Sequence, residues 1–234
     1  MPVGIDELRD SLHRGGEPWL LLYDIDGTLV DTGGKGMLAL QRAIVDVFGS
    51  GGPALDLAGS TDLGIIDGLF AHFQIEPSHA LTQDFFHCYH LHLEKSLAAE
   101  PLRGRVLDGA ADVLGKFHNL EHIAQGLLTG NTSSGAEIKL RHYGLSDWLS
   151  FGAFGSDHAD RNMLGPVAVR RAAEVTGRTF TPSRILVIGD TPKDIACAHA
   201  CGARCIAVST GQFSENQLRA KGADWVLGSL RELL

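Results

Sequence analysis

The chain is organised around residues 19–29, Trp-Leu-Leu-Leu-Tyr-Asp-Ile-Asp-Gly-Thr-Leu. Trp19 through Tyr23 are bulky and apolar with no polar alternation, the pattern of a strand buried on both faces of a sheet. The run ends in two carboxylates, Asp24 and Asp26, followed by Gly27. Residues two apart on extended backbone share a face, so both carboxylates point the same way. Glycine lets the chain turn sharply just after them. Acids at the C-terminal end of a buried strand lie where open α/β sheets carry their active sites. Two plainer readings compete. Asp-Ile-Asp-Gly is also ordinary turn chemistry, and it opens like an EF-hand loop. Such a loop closes on a Glu, and the segment from Asp24 to Lys35 has none there.

The rest of the chain supplies the setting. At 234 residues and 44% hydrophobic it can bury one large core, or one core and a small accessory domain. Lys and Arg number 20 against 28 Asp and Glu, a formal charge of −8, which argues against a nucleic-acid or membrane-surface protein. Residues 1–16 carry Asp6, Glu7, Arg9, Asp10 and Arg14 and no apolar stretch, unlike a signal peptide. No apolar run approaches the roughly 18 residues of a spanning helix. A soluble, cytoplasmic protein is expected.

The cysteines at 88, 197, 201 and 205 do not make a disulfide framework at this length. Cys197 and Cys201 could pair on one helix face around a metal. They sit among Ala and Gly, however, where cysteine serves as a small buried hydrophobe. His87, His90 and His92 lie close together, as do His118 and His122, but no Cys or carboxylate completes a tetrahedral set at ligand spacing. Solvated or partly buried histidines are expected.

Helical patterns run over 1–12, 37–48, 62–73, 79–99, 108–117, 134–142, 165–175, 195–201 and 212–221. Strand patterns run over 19–23, 123–128, 151–154, 185–188, 205–209 and 225–227. Strands alternating with helices predict an α/β fold with a doubly wound, mainly parallel sheet and right-handed crossovers. Residues 32–100 hold helix and loop only. The expected organisation is a core of residues 1–31 and 101–234, with an all-helical domain of residues 32–100 inserted after the first strand, over the edge to which Asp24 and Asp26 point.

Three strands of this core end in polar residues at the same, carboxyl end: Asp24 and Asp26, Thr129 and Asn131, Asp190 and Asp194. Each set alone reads as a turn or a helix cap. Together, in this order, DIDGTLVDT, LLTGN and VIGDTPKDI resemble the haloacid dehalogenase (HAD) superfamily of Rossmann-like hydrolases, in the phosphoglycolate phosphatase-like subgroup with a helical cap after the first motif. The resemblance covers nearly the whole chain.

It implies a magnesium-dependent phosphatase for a small phosphorylated metabolite such as phosphoglycolate. Asp24 would attack phosphorus to form an aspartyl-phosphate, and Asp26 would act as general acid and then base. Asp24, the Asp26 carbonyl, Asp190 and Asp194 would hold Mg2+. The Thr129 hydroxyl with the Gly130 and Asn131 amides would bind phosphoryl oxygens. The family's third-motif Lys is replaced here: Arg161 is the candidate cation, against a surface Arg pairing with Asp157 or Asp160, and Lys193 is the reserve. Thr61, in Gly59-Ser60-Thr61-Asp62, resembles a substrate loop of the family and reads equally as a helix cap. Lys35 is another cap residue within possible reach of substrate, or else a solvated Lys. The expected partner is a phosphoester, with no nucleic acid or membrane, and the chain a monomer or homodimer. Alternatives are a sugar-phosphate mutase or other phosphotransferase of the same core, and a catalytically silent binding protein.

Overall fold

The structure, a computed structural model, describes residues 4–54, 57–99, 101 and 104–234. In chain order its strands are β1 (Trp19–Tyr23), β2 (Val30–Asp31), β3 (Arg105–Val106), β4 (Ile123–Leu128), β5 (Gly152–Ala153), β6 (Ile185–Gly189), β7 (Arg204–Val208) and β8 (Trp225–Leu227). The helices are α1 (Ile5–His13), α2 (Lys35–Phe48), α3 (Asp62–Phe73), α4 (His79–Ala98), α5 (Ala110–His118), α6 (Ser133–His142), α7 (Leu164–Thr176), α8 (Pro192–Ala200) and α9 (Glu215–Ala220). The helix expected over 1–12 thus begins at Ile5; residues 1–3 of that expectation lie outside the described residues, as does the expected boundary at 100.

The main sheet has six strands in the order β5-β4-β1-β6-β7-β8, and every pair in it is parallel. The α/β, doubly wound expectation holds. β1 sits centrally because every one of its side chains is buried, and its period-two alternation feeds both faces. Trp19, Leu21 and Tyr23 join the cluster covered by α1, α5 and α6. Leu20 and Leu22 join the opposite one, under α7, α8 and α9. After β1 the chain leaves to one side for β4 and β5, then returns across β1 to β6. That reversal makes the carboxyl end of β1 a topological switch point, where an open sheet offers a crevice.

Between β1 and β4 lies the helical insert. α2, α3 and α4 pack around their own apolar cluster, built on Leu40, Ile44, Leu69, Phe70, Phe85 and Leu93. Ile138 of α6 belongs to the same cluster, so the insert seats directly on the sheet layer. Both chain crossings into the insert run through a two-stranded antiparallel ribbon, with Val30 opposite Val106 and Asp31 opposite Arg105. The sequence reading missed this ribbon, because two residues per strand show no periodicity.

Candidate active site

The three polar strand ends meet at the switch point. Asp24 follows β1 and is 4% exposed, its amide donating to the Ile188 carbonyl of β6 at 2.9 Å. Gly27 then turns the chain at φ +80°, and a Cβ there would stand 2.3 Å from an Asp190 carboxylate oxygen. Only glycine satisfies both the left-handed backbone and that close approach. Asp190 follows β6, and Asp194 is buried at the start of α8, where it forms a capping box with Thr191. Carboxylate oxygens of Asp24, Asp190 and Asp194 lie within 4.8 Å of one another.

Two of these three buried acids, Asp24 and Asp194, share one buried cation. Arg161, 6% exposed in a short turn before α7, donates to Asp194 and stands 3.3 Å from Asp24 Oδ1. It also donates to the Gly59 carbonyl at 3.1 Å and the Leu128 carbonyl at 3.3 Å. The alternative of a surface Arg is set aside: Asp157 pairs with Arg171 instead. Burial opposes the charge on Arg161, but Asp194 and Asp24 outweigh it and hold the guanidinium more firmly protonated than usual.

Burial also pushes the Asp24 carboxyl up, against the pull of Arg161 and of a hydrogen bond from Thr129. Asp190 is driven further, to about 9, by burial and then by the Asp194 and Asp24 carboxylates. Its Oδ1 is buried with no hydrogen-bond partner. A buried orphan oxygen and an excess of negative charge over one Arg are what a hard divalent cation relieves. The donor set fits such an ion.

Asp26 and Asn131 stand on the insert side. Asp26 Oδ2 accepts from Asn131 Nδ2 at 2.8 Å and from Lys139 Nζ at 2.6 Å. Lys139 also donates to Asn131 Oδ1 at 2.6 Å and is 3% exposed. Lys139 was absent from the sequence-derived set. The signal was there: on α6 it falls three residues after buried Ala136 and next to buried Leu140, a Lys within an apolar stripe. Thr129 Oγ1 accepts from Asn131 Nδ2 at 2.8 Å. Lys193, by contrast, reaches Ser60 Oγ at 2.7 Å on the insert loop, and Lys35 donates to the Ala99 carbonyl at 2.8 Å. The Cys197 and Cys201 thiols point to the Arg161 and Ala198 carbonyls.

The insert loop closes over these groups. The Asp62 amide donates to the Gly130 carbonyl at 2.7 Å, and the Asp62 carboxylate accepts from the Thr132 amide at 2.7 Å. Burial there raises the Asp62 carboxyl to about 6. Thr61 caps α3 by accepting from the Gly64 amide, and its hydroxyl donates to the Ala159 carbonyl. Thr61 does not line the cavity over Asp24; Asp62 does. That cavity is about 450 Å³, with Met37, Leu40, Leu57, Ile65 and Tyr89 of the insert facing Asp24, Asp26 and Lys139.

Contact between Gly130 and the loop is tight enough to test. A Cβ at Gly130 would stand 1.9 Å from the Ser60 carbonyl oxygen. Gly130→Ala is therefore expected to push the loop off the core and raise KM for a phosphoester about tenfold or more, while circular dichroism stays native. An unchanged KM would show that the loop seats differently.

Residues 164–233 match the family described as HAD-hydrolase-like. A phosphoglycolate phosphatase of Pseudomonas fluorescens is 23% identical over 96% of this chain and 82% of its own length. An N-acetylmuramic acid 6-phosphate phosphatase of Pseudomonas aeruginosa is 26% identical, over 92% of each chain. Among solved structures, CbbY from Rhodobacter sphaeroides in complex with phosphate superposes with a TM-score of 0.69 at 18% identity, over 92% of this chain and 96% of that one.

Proposed function

We propose that this chain, a phosphatase-like hydrolase of the haloacid dehalogenase superfamily, cleaves a small phosphoglycolate-like phosphomonoester through an aspartyl-phosphate on Asp24, with Mg2+ as its metal. The observation that carries this reading is the convergence of Asp24, Asp26, Thr129, Asp190 and Asp194 at one end of the sheet, under a cavity sized for a small ester.

In this reading an Asp24 carboxylate oxygen attacks phosphorus, dividing a hard displacement into two easier ones. The Asp26 carboxyl gives its proton to the departing alkoxide. It then takes a proton from the water that attacks the aspartyl-phosphate, which frees inorganic phosphate and restores Asp24. Lys139 and Asn131 hold Asp26 Oδ2 from the side, which fixes the carboxyl for both transfers. Arg161, locked between Asp24 and Asp194, keeps the nucleophile aimed and offers positive charge to the phosphoryl oxygens. Thr129 and the Gly130 and Asn131 amides are assigned to those oxygens. A divalent cation held by Asp24, the Asp26 carbonyl, Asp190 and Asp194 would offset the repulsion between the nucleophile and the phosphate dianion.

We read residues 32–100 as a cap domain that opens and closes on the core of residues 1–31 and 101–234, with the β2–β3 ribbon as its hinge. Closure would exclude water from the aspartyl-phosphate until the alcohol has left. Among the described residues no helix is long and apolar enough to cross a membrane, and a cytoplasmic metabolite is the proposed substrate.

Lys139→Met should test the role given to that cation. It keeps the length of an apolar stem and removes the cation beside Asp26, so kcat is expected to fall about 100-fold, in the range of general acid–base contributions. A variant with normal kcat would make Lys139 merely structural. The function itself is tested by hydrolysis of p-nitrophenyl phosphate, phosphoglycolate and hexose phosphates, with Mg2+ and with EDTA. Release of phosphate that requires the metal is expected. Phosphate moved between positions of a hexose phosphate without release, or no turnover of any ester by metal-loaded protein, would contradict it.

A further inference from the structure

The insert carries a second group of metal-ligating side chains, on none of the residues that line the cavity. Cys88 and His92 lie one helical turn apart on α4, and α2 brings Asp46 beside them. His92 Nε2 is 2.7 Å from Asp46 Oδ2, and Cys88 Sγ is 4.0 Å from the same oxygen. The three donor atoms lie within 4.8 Å of one another. In the sequence these histidines lacked a partner because Asp46 stands about forty residues before them, and only the packing of α2 against α4 closes the gap.

The chemistry of this trio differs from that of the catalytic acids. Asp24, Asp190 and Asp194 offer only hard oxygen, whereas Cys88, His92 and Asp46 offer one sulfur, one nitrogen and one oxygen. That mixture suits a borderline-soft ion of tetrahedral preference and disfavours magnesium. A thiolate and a carboxylate together also balance a divalent charge. Asp46 is more than half exposed and His92 about one-fifth exposed, so an ion can reach the site from solvent, with water free to take the fourth position.

We propose that Asp46, Cys88 and His92 form a zinc-type transition-metal site that clips α2 to α4 on the outside of the helical insert. On binding, the Cys88 thiol gives up its proton and ligates as thiolate, while His92 ligates through Nε2 as a neutral imidazole with its ring proton on Nδ1. No bond in the chain is made or broken otherwise. The clip joins helices on either side of α3, so it stiffens the insert without touching the catalytic acids, and the proposal stands or falls independently of the phosphatase reading.

Cobalt(II) chloride is the probe, titrated into the reduced full-length protein in excess MgCl2. A thiolate ligand gives a cobalt charge-transfer band in the near ultraviolet that oxygen ligands cannot produce. One saturating equivalent with that band is expected, together with a rise in melting temperature on adding ZnCl2. Cys88→Ser should abolish the band and Asp46→Ala should weaken binding by about tenfold or more. Cys201→Ser, at another partly buried thiol, should leave the band intact. No band at tenfold excess of cobalt, or a band retained in Cys88→Ser, overturns the proposal. Asp46 is mostly exposed, so a misfolded Cys88→Ser variant would still leave Asp46→Ala to decide.

Discussion

Asp24→Asn is expected to lower kcat by about 10⁴-fold or more, the scale seen when a covalent nucleophile is removed. The amide matches the carboxylate in shape and keeps contact with Arg161 and Thr129, but it has no anionic oxygen with which to attack phosphorus. Folding should not suffer. The Asp24 carboxyl is pushed up chiefly by burial, so its charge is a cost to the folded state that the neutral amide does not carry. The variant should therefore melt no lower than the parent protein in EDTA. Steady-state hydrolysis of p-nitrophenyl phosphate beside a thermal melt separates the two effects. Loss of activity with a large drop in melting temperature would mean that Asp24 is needed for the fold; retained activity would remove it from the chemistry.

Asp190→Asn should have the second large effect, lowering activity while raising the stability of the metal-free protein. Before any metal binds, the Asp190 carboxyl sits at about 9 in the folded chain against an ordinary 3.8, through burial and then the charges of Asp194 and Asp24. Between those values the folded state holds a proton that the unfolded chain has lost. Stability attributable to this group is therefore greatest below about pH 4 and falls as pH rises towards 9. Asparagine has no proton to lose, so at pH 8 in EDTA the variant should be the more stable and melt at the higher temperature.

Magnesium reverses the comparison. It should raise the melting point of the parent protein increasingly from pH 6 to pH 8, because it replaces that proton, and should leave Asp190→Asn nearly unmoved. Activity should fall about 10²- to 10³-fold, the equivalent of several kcal/mol of lost charge stabilisation. Equal magnesium-induced shifts in both proteins would place the ion elsewhere.

Much of this was legible in the sequence, for physical reasons that differ by element. β1 and β6 announced themselves because a central parallel strand is buried on both faces, so no polar residue interrupts Trp19–Tyr23 or Ile185–Ile188. The acids that meet at the switch point were legible because such a point collects consecutive strand ends, and strand ends are visible in a linear chain. Arg161 could be named but not seated: only the fold shows that it is buried between Asp24 and Asp194.

What the sequence hid depends on packing between elements. Lys139 projects from the middle of a helix, where a charged residue usually reads as solvated, and its partners Asp26 and Asn131 come from other segments. Thr61 and Asp62 are neighbours with identical capping potential, and only the seating of the loop decides that Thr61 caps α3 while Asp62 faces the cavity. Asp46, Cys88 and His92 are joined by a helix–helix contact that no spacing rule reveals. Local pattern located the strands and their ends; side chains that act across helices needed the tertiary structure.

The central claim is a covalent phosphoryl group on Asp24, and rapid acid quench with peptide mass spectrometry measures it directly. Protein mixed with Mg2+ and a turned-over phosphomonoester should show one phosphoryl adduct, on the peptide that contains Asp24. The adduct should appear no later than free phosphate, decay as substrate is exhausted, and be absent from Asp24→Asn. Phosphate released in a single turnover with the adduct on another residue would contradict the account.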